Sequence, residues 1–292
     1  TTRRRLLRGG VAAAGCGTLA SAPGCLDGFR PPSYRTWLPA PGTTTAFTSG
    51  FEVLRPAVLV ERQAQFSPGV DFDDMARVWA PAPLEAGDAT TFVHQNDVVV
   101  VEGSFDRDAA RTAFAAKGFE ARGEHHGYSL LTAPGAGAGV AVGADELVGV
   151  GLYMGAVEEP RPVLGAYVDA RAGRVERWVD SDEDLAALLD AFETPHYLRV
   201  RSVEPTDTHD PENGRFRGRV GYGHGWSVRA DTLDGRWAIV TESPDAVDAS
   251  DLRSWVSANR KRGDRFADWR NVTYETKGRV CVVAAVTDAR NY

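Results

Sequence analysis

His125 and His126 are the most conspicuous pair of ligand-type side chains in the sequence. Imidazoles bind zinc and copper when a helix or a short loop delivers them to one point. This pair falls in a stretch read as a strand, where consecutive side chains face opposite sides of a sheet, so it is not expected to grip one ion. His94, His196, His209 and His224 are scattered without zinc-site spacing. Asp71, Asp73 and Asp74, and a second run holding Asp207, Asp210, Glu212 and Asn213, cluster oxygens in loops. Calcium takes such ligands, but the alternating acids, turn glycine and closing glutamate of a calcium loop are missing, which favours solvated acidic loops. Gly221-Tyr222-Gly223-His224-Gly225-Trp226 is rich in glycine but lacks the Lys-Ser/Thr and the following helix of a phosphate loop, and reads as a bulged strand or hairpin. Gly-x-Ser-x-Gly and His-Glu-x-x-His are both absent. The sequence therefore nominates no catalytic residue, no metal ligand and no cofactor.

The elements that would position these groups emerge from the hydropathy pattern. Residues 98–103 form an apolar run of strand length. Ser104 and Asp106 can cap a helix over 108–117, with Ala109, Ala110, Ala113 and Phe114 as its apolar stripe and Gly118 as its stop. Strands over 119–124 and 128–131 flank Gly127, and a hairpin over 140–142 and 147–150 follows. Residues 162–171 and 181–192 read as helices, the second with Ser181 and Asp184 in a capping-box arrangement. Strands near 197–203, 216–221 and 227–232 lead to 236–241, a helix capped by Ser250, and a hairpin of 269–275 with 279–286 across Lys277-Gly278. Upstream, Trp37 docks an extended segment, and residues 56–60 suit a short strand or a short helix. Trp178, Trp237 and Trp255 fall in apolar elements and read as core. Strand, helix and two strands thus occur twice. The fold class expected is α+β, antiparallel sheets with helices on one face, with two ferredoxin-like units as its suggested organisation.

Residues 1–25 carry a separate message. Thr2-Arg3-Arg4-Arg5-Leu6-Leu7-Arg8 resembles a twin-arginine export signal at every position of its pattern, with Arg3 and Arg4 as the pair. The weakly apolar run after it, about 14 residues, is short of the roughly 20 that a spanning helix needs. Ala22-Pro23-Gly24-Cys25 resembles a lipobox, which makes Cys25 the lipidation site and Cys16 part of the discarded signal. Ala22 and Pro23 depart from the usual lipobox residues. The expected organisation is signal 1–25, tether 26–35, a first α+β unit with an N-terminal extension 36–193, and a second α+β unit 194–292.

Charge divides at the same place. The 292 residues carry 33 basic and 40 acidic groups, but residues 1–25 hold four arginines and no acid, leaving 29 against 40 and a net of -11. Such a balance argues against nucleic acid as a partner. Cys281 alone remains outside the signal, within an apolar strand, where a buried inert thiol is expected. Asn271-Val272-Thr273 is a glycosylation acceptor pattern. Arg outnumbers Lys 30 to 3, a balance that with the acidic body resembles exported haloarchaeal proteins.

The run from Val101 through Gly103, Phe105 and Asp106 to Ala110, then Lys117-Gly118-Phe119 and Gly127-Tyr128, resembles a family of haloarchaeal twin-arginine-exported lipoproteins. The likeness extends loosely through 182–188 and the final hairpin. It implies no settled activity and transfers no functional residue. The sequence thus reads as an exported, non-enzymatic lipoprotein held to the outer face of the cytoplasmic membrane, acting in surface interaction with a protein partner or in envelope structure. The alternatives are a small-solute-binding lipoprotein and an extracellular hydrolase using Asp71 or Asp73.

Overall fold

The computed structural model describes residues 32–44, 49–67, 82, 84–152, 155–261 and 265–291. Residues 32–292 form one compact unit. Its strands are β1 (Gly50–Leu54), β2 (Ala89–Gln95), β3 (Val98–Gly103), β4 (Glu120–His125), β5 (Tyr128–Ala133), β6 (Ala138–Val142), β7 (Glu146–Val150), β8 (Tyr197–Ser202), β9 (Arg219–Arg229), β10 (Thr232–Thr241), β11 (Arg270–Lys277) and β12 (Val280–Asp288). Its helices are α1 (Pro56–Glu61), α2 (Arg107–Ala116), α3 (Pro160–Arg171), α4 (Trp178–Ser181), α5 (Glu183–Asp190) and α6 (Ala249–Ala258).

The fold is α+β, and all neighbouring strands are antiparallel. They make one twelve-stranded sheet in the order β11-β12-β10-β9-β8-β1-β2-β3-β7-β6-β5-β4. The repeated order is present as β3-α2-β4-β5 and β10-α6-β11-β12, but the ranges 36–193 and 194–292 share this sheet, because β1 pairs with β8 on one side and β2 on the other. Helices cover both faces rather than one. Val98 and Val100 pack with α3, α4 and α5, while Val99 and Val101 pack with α2 on the opposite face, where α1 and α6 cover the other half of the sheet. Continuous apolar strands such as β3, β6 and β7 bury both sides, so each side needs a cover.

Local boundaries follow capping chemistry. Asp106 accepts hydrogen bonds from the Asp108 and Ala109 amides at the start of α2. Asp182, not Ser181, caps α5, and Asp248, not Ser250, caps α6 in a capping box with Asp251. Each aspartate carboxylate reaches two free amide donors of the first turn. Residues 56–61 are helical, with Pro56 in the first turn. Of the stretches expected near 216–221 and 227–232, residues 219–221 and 227–229 lie along one strand, β9, which ends in a turn with Ala230 at φ +49 before Thr232 opens β10.

The segment before β1 is fixed to the face bearing α3. Trp37 is fully buried, and Ala40 donates its amide to Glu176. Both outermost strands are irregular: β4 changes register between Ala121 and Glu124, and β11 between Arg270 and Thr273. Among the described residues no helix is long and apolar enough to cross a membrane.

Candidate functional site

Period-two alternation in β8 and β9 builds a groove floor. Arg199 and Arg201 share a face with Tyr222, His224 and Trp226. The register sets Arg199 opposite His224 and Arg201 opposite Tyr222. β10 then adds Trp237 beside His224 and Ile239 beside Tyr222, and β1 adds Glu52 beside Arg199. Gly221, Gly223 and Gly225 turn to the other face. A Cβ on Gly223 would lie 2.8 Å from Val200 Cγ1, and one on Gly221 would meet Leu188 of α5 at 3.4 Å. The run Gly221–Trp226 is therefore two half-patterns, a flat glycine side under α5 and an aromatic side facing the groove.

The walls come from Asn213, Gly214 and Phe216, from Trp255 of α6, and from Arg219 and Arg265, enclosing about 370 Å³. Four guanidiniums line the space. Arg199 Nε lies 3.1 Å from Glu52. Among the described residues Arg201, Arg219 and Arg265 make no ion pair. Arg219 donates from Nη1 to the Gly214 carbonyl at 2.8 Å, while its Nε is buried without an acceptor. Its guanidinium lies 4.8 Å from the Tyr222 ring centroid, and that of Arg265 lies 5.6 Å from Trp255. Burial pushes the Arg219 pKa down. Burial, then Arg265 and Arg199, push His224 down to about 4. A neutral imidazole among guanidiniums of low compensation has the chemistry to accept an anion, because the charge-assisted, forked hydrogen bonds of arginine match carboxylate and phosphate oxygens.

A second cluster forms where strand alternation forbade it. His126 and Gly127 occupy a two-residue turn with φ +48 and +85, so β4 ends at His125 and the two imidazoles no longer alternate. Both reach Asp169 on α3. His125 Nε2 is 2.9 Å, and His126 Nε2 3.2 Å, from the same Asp169 Oδ1, with ring centroids 4.3 Å apart. The expectation that strand alternation sets the two rings on opposite faces is thus corrected, the reason being the left-handed backbone at His126.

A pair of carboxylates, Glu102 and Glu146, faces each other across β3 and β7. Their oxygens are engaged. Glu102 accepts from the Ser33 hydroxyl at 2.5 Å and the Trp37 indole at 2.9 Å, and Glu146 accepts from the Tyr128 hydroxyl and from Arg171 Nε at 2.8 Å. This network ties the N-terminal segment to the sheet.

The remaining nominated residues separate cleanly. Cys281 is buried, and burial pushes its thiol up to about 11, as fits an inert core position. Asn271 is exposed on edge strand β11 with φ +52. The 207–213 acidic run folds on itself, Asn213 donating to Asp210 at 2.8 Å, and His209 pairs with Asp251 at 3.2 Å. Arg3, Arg4, Cys16, Cys25, Asp71 and Asp73 lie outside the described residues. The groove arginines were missed by sequence reasoning. Their signal was the alternation of residues 197–201 beside 221–226, which becomes a site only once the two strands are known to pair.

No family model and no curated protein matches this sequence. Among solved structures, crystal form III of TP0453 superposes with a TM-score of 0.51 at 7% identity, covering 87% of this chain and 94% of that one. Crystal form IV of TP0453 scores 0.49 at 8% identity over 87% and 94%, and crystal form I scores 0.48 at 7% identity over 84% and 92%. The likeness to form III is one of fold.

Proposed function

We propose that this chain is an exported lipoprotein of the haloarchaeal kind its sequence resembles. It is delivered by the Arg3-Arg4 signal, anchored through Cys25 to the outer face of the cytoplasmic membrane, and acts by binding rather than by catalysis. Its working surface is the groove of Arg199, Arg201, Arg219 and Arg265. The observation that carries this reading is the concentration of four guanidiniums, one of them ion-paired among the described residues, on a body whose net charge outside the signal is -11. Arg219, half-buried and without a counter-charge among the described residues, is costly to the fold unless a ligand completes it, while the exposed Arg199, Arg201 and Arg265 present their guanidiniums to the same space. The ligand class is a small anion, a carboxylate or phosphate, borne on a ring or sugar that packs against Tyr222, Trp237 or Trp255. The solute-binding alternative is thereby favoured over a purely structural role.

Titration of the intact protein with phosphorylated and carboxylated sugars, following tryptophan fluorescence, tests the groove. Saturable quenching that weakens about tenfold in Arg201→Gln supports it. No response at roughly 10 mM ligand, far weaker than useful binding, overturns it. Mass spectrometry of the membrane-bound form tests the anchor: an intact Thr1 terminus, or a Cys25 without lipid, refutes it.

A further inference from the structure

We propose that His125, His126 and Asp169 form a binding site for a divalent transition-metal ion of the zinc class, with the fourth coordination position turned to solvent. The geometry comes from two rigid elements, the hairpin turn between β4 and β5 and the last turns of α3. Their three ligand atoms lie within 4.8 Å of one another. The two nitrogen-to-oxygen separations of 2.9 and 3.2 Å approach the edge of about 3.3 Å that a tetrahedral ion with ligand bonds near 2.0–2.1 Å requires. Two edges of the triangle are thus near that length, and the third, between the two imidazole nitrogens, lies within 4.8 Å.

Two further features favour an ion over a simple hydrogen-bonded group. Both imidazoles converge on one carboxylate oxygen, Asp169 Oδ1, so two nitrogens and one oxygen from separate elements already meet at one point. The side chains are 31%, 34% and 24% exposed, which gives an ion a route in and leaves a position for water or an exogenous ligand. Two nitrogens and one carboxylate oxygen suit zinc, copper, nickel or cobalt. Calcium and magnesium, which prefer shells of six or more oxygens, are disfavoured.

Calorimetric titration of the intact protein with Zn²⁺ is expected to show one equivalent bound with a dissociation constant in the micromolar range or tighter, and Ca²⁺ is expected to show none. His126→Asn preserves a residue that accepts the left-handed turn, and Asp169→Asn preserves the shape of the acceptor. Each should weaken zinc roughly tenfold or more, and His125→Gln with His126→Asn should abolish it. His209→Gln, which removes the two-group His209–Asp251 pair elsewhere, should leave the titration unchanged. Co²⁺ bound to the wild type should give the intense visible bands of a four-coordinate site, lost in the double variant, and thermal unfolding without metal verifies that the variants fold. Zinc bound with unchanged stoichiometry and affinity in the double variant, equal affinity for Ca²⁺, or no binding at about 1 mM zinc overturns the proposal.

Discussion

Arg171 and Arg219 are both half-buried guanidiniums set over an aromatic ring, at 5.2 Å from Trp37 and 4.8 Å from Tyr222, and their electrostatic situations are opposite. Burial alone would lower the Arg171 pKa, but its hydrogen bonds and charge contact with Glu146, with Glu102 behind, raise it. Arg219 has a backbone carbonyl for an acceptor and no carboxylate among the described residues, so burial lowers it. The contrast separates two uses of the same side chain. Where the fold supplies the counter-charge, an arginine is a fastener; where the fold withholds it, the arginine is available to a ligand.

That distinction can be broken most forcefully at the compensated end. Trp37→Ala should cost about 4 kcal/mol in urea unfolding, since it empties a fully buried ring position and removes a donor from Glu102. Glu146→Ala should cost about 2–3 kcal/mol, because Arg171 and Tyr128 both lose their acceptor. Arg219→Gln should change stability by less than about 1 kcal/mol while weakening the anionic ligand about tenfold. If Arg219→Gln destabilises as much as Glu146→Ala, the two arginines are alike and the comparison fails.

Protonation sharpens the comparison further. The folded pKa of His224 is depressed to about 4, below its ordinary value of 6.5. The unfolded chain therefore takes up a proton first as pH falls, so the contribution of His224 is present above 6.5 and is lost between 6.5 and 4. His224→Gln should flatten that part of the pH–stability curve, as followed by thermal melts. An anion in the groove should raise the His224 pKa and produce proton uptake on binding at pH 5, measurable by calorimetry in two buffers. The smallest effect is from salt: at fixed ionic strength sulfate should raise the wild-type melting temperature by about 2 °C more than it raises that of Arg201→Gln.

The sequence showed the parts of the molecule that depend on near neighbours. The helix over Arg107–Ala116, the final hairpin and the buried Cys281 all follow from local periodicity, caps and turn residues. What depends on distant pairing was illegible. β1, five residues long, joins the two halves of the sheet through β8 and β2, and no local pattern announces that. The groove needs Arg199, His224 and Trp237 in one row across three strands, which register alone decides. At His125 and His126 the general rule of alternation met a local exception, a positive φ, and the Gly127 turn already recognised there was its cause.

The irregular outer strands have a consequence for life in a crowd. Among the described residues the open sheet ends at two borders, and a border offers amide and carbonyl groups to any extended neighbour, its own copies included. Here one border carries Glu120, Arg122 and Glu124 on exposed positions with a change of register between Ala121 and Glu124, and the other is bent at Asn271. Charge on one side and a kink on the other interrupt the straight template that stacking would need. Edge-to-edge addition of a second copy is thereby disfavoured at both ends of the twelve-stranded sheet.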